Sequence, residues 1–266
     1  MRHRAFWRAA LSLTAGVAAL LLSAPATASV APAELPYLAL GDSVASGAEL
    51  GDSASYPRKL GVRMANETGR PVRYWNRARQ GEQSAGVLAA QLDGVEGFRP
   101  TVVTLTVGAN DFLVPALECI AARLDNDPAS ACQMPDPRTT IPEVERNIRA
   151  IVGKILRDTE ATVAVTTYYN PFPRTSRCAP ALVDLSMRYL NASIGRATTS
   201  LSDEFPNRVI VVDLMETFKG HEGHEPTGWF LRNPVRLGCT DIHPNGAGHT
   251  AIAETIWAAL AGRGVQ

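Results

Sequence analysis

The sequence predicts an α/β protein, a single three-layer α/β/α domain around a parallel sheet of about five strands. Short apolar runs of strand length alternate with segments of helical periodicity, the pattern of βαβ units. Some of these runs stop at a glycine followed by polar residues, as Leu38–Leu40 does at Gly41-Asp42 and Thr101–Val107 at Gly108-Ala109-Asn110-Asp111. The 266 residues, 45% hydrophobic and 20% charged, can bury one substantial core, and no repeat, linker or long charge run divides them.

At the N-terminus, Arg2, His3, Arg4 and Arg8 precede an apolar stretch from Ala9 to Leu22, and Ala26-Thr27-Ala28 fits a small-x-small cleavage site. Residues 1–28 are therefore expected to be a secretory signal peptide, leaving residues 29–266 as an exported, extracellular domain. The apolar run is short for a membrane span of about 20 residues and is closed by Pro25, which argues against stable membrane insertion.

After a loose lead-in over residues 29–36, Tyr37–Leu40 is the first expected strand. Ser55 is expected to cap a helix running from Tyr56 to near Glu67, broken by Gly69-Arg70-Pro71. Val72–Asn76 reads as a strand and Val87–Leu92 as part of a helix. Thr101–Val107, with Thr and Val alternating, is the most strand-like run. The segment that follows, through Pro142, reads as irregular. Val144, Ile148, Ile151, Val152 and Ile155 recur at helical spacing over Glu143–Asp158. Thr162–Thr167 and Val209–Asp213 are further strands, with helices expected from near Leu182 to Leu201 and over Gly246–Leu260.

Charge narrows the function. The 26 basic and 26 acidic residues balance, and losing Arg2, Arg4 and Arg8 with the leader leaves a slightly acidic domain. No concentrated basic face is present, so neither nucleic acid nor an anionic membrane is an expected partner. Four cysteines in an exported chain point to two disulfides. Of the three possible pairings, Cys119 with Cys132 is favoured because it closes one local loop, which leaves Cys178 with Cys239. A loop that short contributes about 3 kcal/mol in the chain-entropy model. No Cys-x-x-Cys spacing suggests a metal. Gly220-His221-Glu222-Gly223-His224-Glu225 is one residue short of a His-Glu-x-x-His zinc motif, and Gly223 and Pro226 oppose a helix. A solvated loop beside Trp229 and Phe230 is expected there.

The stretch from Leu38 to Gly47 is the centre of the functional reading. A buried strand that stops at Gly41 puts the Ser43 hydroxyl at its carboxyl end, where open α/β sheets present ligand sites. A serine becomes a nucleophile only with a base to take its proton and donors for the oxyanion. Four segments in order could supply these parts: Gly41-Asp42-Ser43, Gly81, Gly108-Ala109-Asn110-Asp111, and Asp241-Ile242-His243-Pro244-Asn245. Each is weak alone. Their order, spacing and placement at element boundaries together resemble the SGNH hydrolases, or GDSL esterase/lipase family, over nearly all of residues 29–266.

The resemblance implies a flavodoxin-like SGNH hydrolase fold and a serine esterase or lipase, with secreted, disulfide-bearing bacterial enzymes as the nearest likeness. Ser43 would be the nucleophile and His243 the general base. The backbone N–H groups of Ser43 and Gly81 and the amide of Asn110 would form the oxyanion hole. No cofactor is implied; the substrate would be a small-molecule or lipid ester and the protein a monomer. A glycine at 81 would allow close backbone approach. Val44 stands where the motif has leucine. The family places its histidine-orienting Asp three residues before the His, where this chain has Thr240, so either Asp241 or a backbone carbonyl near Thr240 would orient His243. Asp42 and Asp111 read as acids that hold their loops. A polysaccharide deacetylase or phospholipase would use the same catalytic parts. Outside enzymes, the alternative is a secreted binding protein on an inactive scaffold.

Overall fold

Five parallel strands are ordered β2-β1-β3-β4-β5: β1 Leu35–Gly41, β2 Val72–Asn76, β3 Val102–Thr106, β4 Thr162–Thr166 and β5 Val209–Val212. The computed structural model describes residues 32–112, 115, 135–172, 180–223, 227–232 and 241–264. The expected leader, the four cysteines, Thr240 and residues 224–226 lie outside them. The helices used below are α1 Ser43–Ser46, α2 Tyr56–Thr68, α3 Ser84–Gly86, α4 Val95–Phe98, α5 Pro137–Asp158, α6 Pro180–Glu204, α7 Leu214–Thr217 and α8 Gly246–Ala261. Strand order reverses direction between β1 and β3, and at such a switch point the loops leaving the carboxyl ends part to form a crevice.

Register assigns the layers. Tyr37 pairs with Tyr74 and with Val102, so Tyr37, Thr104 and Thr106 share one face. α2 and α8 pack together over that face, where Tyr37 bonds Thr104 at 2.9 Å and Tyr56 of α2 bonds Thr106 at 2.8 Å. Leu38, Leu40, Val103 and Leu105 point the other way, to the layer formed by α5 and α6. The Thr/Val alternation of β3 thus does not mark a solvent face. Every residue of β3 is buried, and its threonines are tolerated because their hydroxyls are bonded, Thr106 also to Thr166 at 2.8 Å.

Helix boundaries follow their caps. Ser55 accepts from the Arg58 N–H at 3.3 Å to start α2, and Gly69 ends it in the left-handed region. The expected core residues of α5, Val144, Ile148, Ile151, Val152 and Ile155, are all buried. That helix begins earlier than its periodicity suggests, because Asp136 accepts from the Arg138 N–H at 2.9 Å and Pro137 sits in the first turn, where a missing N–H costs nothing. Pro142 inside it forfeits one i→i−4 bond without ending it. The segment expected to be helical near Val87–Leu92 is α3 followed by a π-helical turn, Val87–Gln91. β1 starts ahead of Tyr37 because the Leu35 N–H bonds Pro71 O at 2.8 Å.

α8 is tied to α2 by a buried histidine. His249 Nδ1 accepts from the Tyr56 N–H at 3.1 Å, so the ring is neutral with its proton on Nε2, which has no partner among the described residues. Burial lowers the His249 pKa to about 4, with Lys59 and His243 adding repulsion.

Candidate active site

β1 delivers Ser43 through a glycine no other residue could replace. Gly41 has φ +135°, and a Cβ there would lie 2.1 Å from Thr106 O. Asp42 then caps α1, Oδ1 accepting from the Val44 N–H at 2.9 Å. The cap is therefore Asp42 and not Ser43. The partly exposed Ser43 hydroxyl has no hydrogen-bond partner among the described residues, and neither does the Ser43 backbone N–H. Asp42 also accepts from the buried Tyr168 hydroxyl. Burial pushes the Asp42 pKa up to about 7, against the two hydrogen bonds that favour the carboxylate.

Across the crevice, Gly81 has φ +72°, and a Cβ on it would meet nothing within 4 Å. The sign of φ therefore favours glycine here, and no neighbouring described residue crowds the position. Its N–H has no acceptor among the described residues. Asn110, only 6% exposed, donates through Nδ2 to Glu82 O at 3.1 Å, and the Gln83 amide donates to Asn110 O at 3.3 Å. An amide nitrogen carries two protons, so one remains for the crevice. Asp111 holds the same corner, accepting from the Ser84 hydroxyl at 2.5 Å and the Ser84 N–H at 3.0 Å. Burial raises its pKa as well.

Asp241 and His243 are brought together directly. Asp241 Oδ1 lies 2.7 Å from His243 Nδ1 and accepts from the His243 N–H at 2.9 Å. That second bond closes a turn of the kind Asp forms with the backbone two residues on, which folds the carboxylate back over the ring. A spacing of two residues therefore reaches the imidazole. With the carboxylate holding the Nδ1 proton, Nε2 carries the basic lone pair. The pair is largely shielded from solvent, with side-chain exposures of 19% and 17%.

The histidine loop is fastened to residues 229–231. Leu231 N–H donates to His243 O at 3.0 Å, Asp241 N–H to Leu231 O at 3.1 Å and Asn245 N–H to Trp229 O at 2.8 Å. Asn245 caps α8, accepting from the Ala247 and Gly248 N–H groups at 3.0 Å, so the His243 ring is not needed for helix entry. Beneath the loop, Tyr169, Phe218 and Phe230 pack ring against ring, and His221 stacks on Trp229 with centroids 3.6 Å apart. Among the described residues no group of His, Cys, Asp and Glu could hold a metal.

Two neighbouring residues join the halves of the site. Tyr168, just past β4, reaches Asp42, while the Tyr169 hydroxyl donates to Ile242 O at 3.3 Å. Ser43 and His243 share no hydrogen bond among the described residues. Sequence reasoning missed both tyrosines, although their place at the carboxyl end of a strand is the available signal. It also missed Gln91, whose only signal is a polar residue in an apolar segment.

The sequence profile of the GDSL-like lipase/acylhydrolase family matches residues 39–251. No curated protein sequence matches the chain. Among solved structures it is similar to the lipase Lip_vut3 from a goat rumen metagenome, at 22% identity and TM-score 0.60 over 85% of this chain and 97% of that one. It is also similar to the extracellular lipase of Streptomyces rimosus, at 21% identity and TM-score 0.59 over 85% and 99%. Phospholipase A1 of Streptomyces albidoflavus NA297 aligns at 16% identity and TM-score 0.61 over 84% and 98%. At these identities the structural likeness speaks for the fold.

Proposed function

The chain belongs to the GDSL-like lipase/acylhydrolase family, and from that premise we propose that it is a secreted serine esterase or lipase that cleaves carboxylic esters through an acyl-Ser43 intermediate. Ser43 Oγ attacks the ester carbonyl while His243 Nε2 takes its proton. The tetrahedral oxyanion is held by the Ser43 and Gly81 N–H groups and the remaining Asn110 proton. His243 returns the proton to the departing alcohol. Water, deprotonated by the same nitrogen, then releases the acid and frees Ser43. Asp241 fixes the tautomer throughout and stabilises the transient imidazolium.

The observation that carries this reading is the 2.7 Å contact of Asp241 with His243 Nδ1, which leaves the opposite nitrogen basic. Ser43, Gly81 and Asn110 support it by retaining donors or a hydroxyl that the fold does not use. In the same reading residues 1–28 direct export, and Cys119, Cys132, Cys178 and Cys239 form two disulfides.

The test is hydrolysis of p-nitrophenyl esters from acetyl to palmitoyl by wild type and Ser43→Ala. Turnover by wild type, with at least about a 10³-fold loss in the variant, is expected. Equal rates in the two would sink Ser43 as nucleophile. The chain-length optimum, with acetylated polysaccharide and phospholipid as further substrates, sorts esterase from deacetylase and phospholipase. N-terminal sequencing of protein from the medium is expected to begin at Ser29.

A further inference from the structure

Gln91 ends the π-helical turn and its side chain is fully buried. Its amide lies against both polar groups of one β1 residue: Oε1 accepts from the Gly41 N–H at 2.8 Å and Nε2 donates to Gly41 O at 2.9 Å. Beyond Asn76 the chain still donates to β1, Arg77 N–H to Ala39 O at 2.9 Å and Arg79 N–H to Gly41 O at 3.0 Å, but it offers no acceptor to the Gly41 N–H among the described residues. Gln91 thus supplies the missing strand acceptor, and a second donor to Gly41 O, at the last residue before Asp42-Ser43.

The same Nε2 lies 3.4 Å from Glu82 Oε2, and Glu82 O accepts from Asn110 Nδ2 at 3.1 Å. A run of contacts therefore passes from Gly41 through Gln91 and Glu82 to Asn110. It touches Gly41, two residues before Ser43, then Glu82, next to Gly81, and the Asn110 side chain itself. π-helical turns concentrate at functional sites because the extra residue re-aims one side chain. In this turn Val87 and Gln91 are buried while residues 88–90 stay at least partly exposed.

We propose that Gln91 is a positioning residue, one that holds the Ser43 loop and the Gly81 loop in the register required for oxyanion stabilisation. The inference rests on the serine-hydrolase reading above. Preorganisation is what gives such donors their effect, so a small loosening of the loops lowers kcat without altering how the ground-state ester binds.

The test combines backbone hydrogen exchange with kinetics on Gln91→Leu, Gln91→Glu and a stability control, Ile256→Ala, which removes a buried side chain of α8 far from this contact. In Gln91→Leu, exchange over residues 41–43 and 79–82 is expected to rise while the rest of the sheet stays protected. kcat should fall at least tenfold with KM within threefold. Gln91→Glu can both donate and accept at Gly41 only while protonated, so its kcat should approach wild type at the acid end and fall as that carboxyl ionises, a step absent from the wild-type profile. Ile256→Ala should lower the melting temperature and leave kcat unchanged. Unchanged exchange at those two segments overturns the proposal, as does a Gln91→Leu enzyme with wild-type kcat. Raised exchange in the variant of a wild type inert toward every ester and toward fluorophosphonate would overturn the hydrolase reading, and with it the catalytic consequence, while leaving the loop coupling in place.

Discussion

Asp241 binds His243 twice, through the ring at 2.7 Å and through the backbone N–H at 2.9 Å, so acid and base form one local unit. An amide at 241 still fits the turn but cannot stabilise an imidazolium. Asp241→Asn is therefore expected to lower kcat by roughly 10²- to 10⁴-fold with little change in KM. p-Nitrophenyl butyrate kinetics decide this. A variant with full kcat would mean another group orients the ring.

The two glycines of the crevice should respond differently to the same substitution. Gly41→Ala forces a Cβ to 2.1 Å from a backbone oxygen that cannot yield, and soluble folded protein is not expected. Gly81→Ala meets nothing and incurs only the left-handed penalty, about 1–2 kcal/mol. Urea titration of Gly81→Ala and Gly81→Asn checks the second claim, with Asn the milder of the two.

Tyr168→Phe leaves a buried carboxyl with one fewer donor. A loss of about 1–3 kcal/mol is expected, together with a further rise of the Asp42 pKa, since the lost hydrogen bond had favoured the carboxylate. Tyr169→Phe gives up a long bond of 3.3 Å to a carbonyl and should cost less. Denaturant midpoints of the two variants, measured side by side, would refute the assignment if their order were reversed.

His249 makes stability depend on acid. The unfolded ring binds a proton near the ordinary value of 6.5, whereas the folded ring resists it down to about 4. Between those values the unfolded state holds more protons, so the contribution is complete above 6.5 and is lost as pH falls toward 4, roughly 3 kcal/mol over the window. Asp42, raised to about 7, acts in the opposite sense. The clean measurement is therefore the stability difference between wild type and His249→Gln, a residue that can still accept from Tyr56 but does not titrate. That difference should move against wild type on acidification; a difference independent of pH would contradict the neutral, buried ring.

Much of this site can be read in the sequence because it sits where strands end. Ser43 and Asn110 follow a glycine and a strand stop and His243 precedes a proline, and those local signals survive without the fold. Asp241 stands apart: a count of residues before the histidine argues against it, yet a side-chain-to-backbone turn brings it in. Tyr168, Tyr169 and Gln91 act through partners 126, 73 and 50 positions away in the chain, and no local pattern encodes a contact of that range. The start of α5 was hidden for another reason. Pro137 and Pro142 look like breakers, and only the Asp136 cap shows that the first of them begins a helix.

Tyr168 and Tyr169 are joined by one peptide bond, yet one reaches the Ser43 loop through Asp42 and the other the His243 loop through Ile242. The site therefore has a common fuse. Local opening of the few buried residues beyond β4 would disconnect both arms together. On gradual heating, activity should then fade ahead of the far-ultraviolet circular dichroism signal and return on cooling, and coincident, irreversible losses of the two would argue against a shared tether.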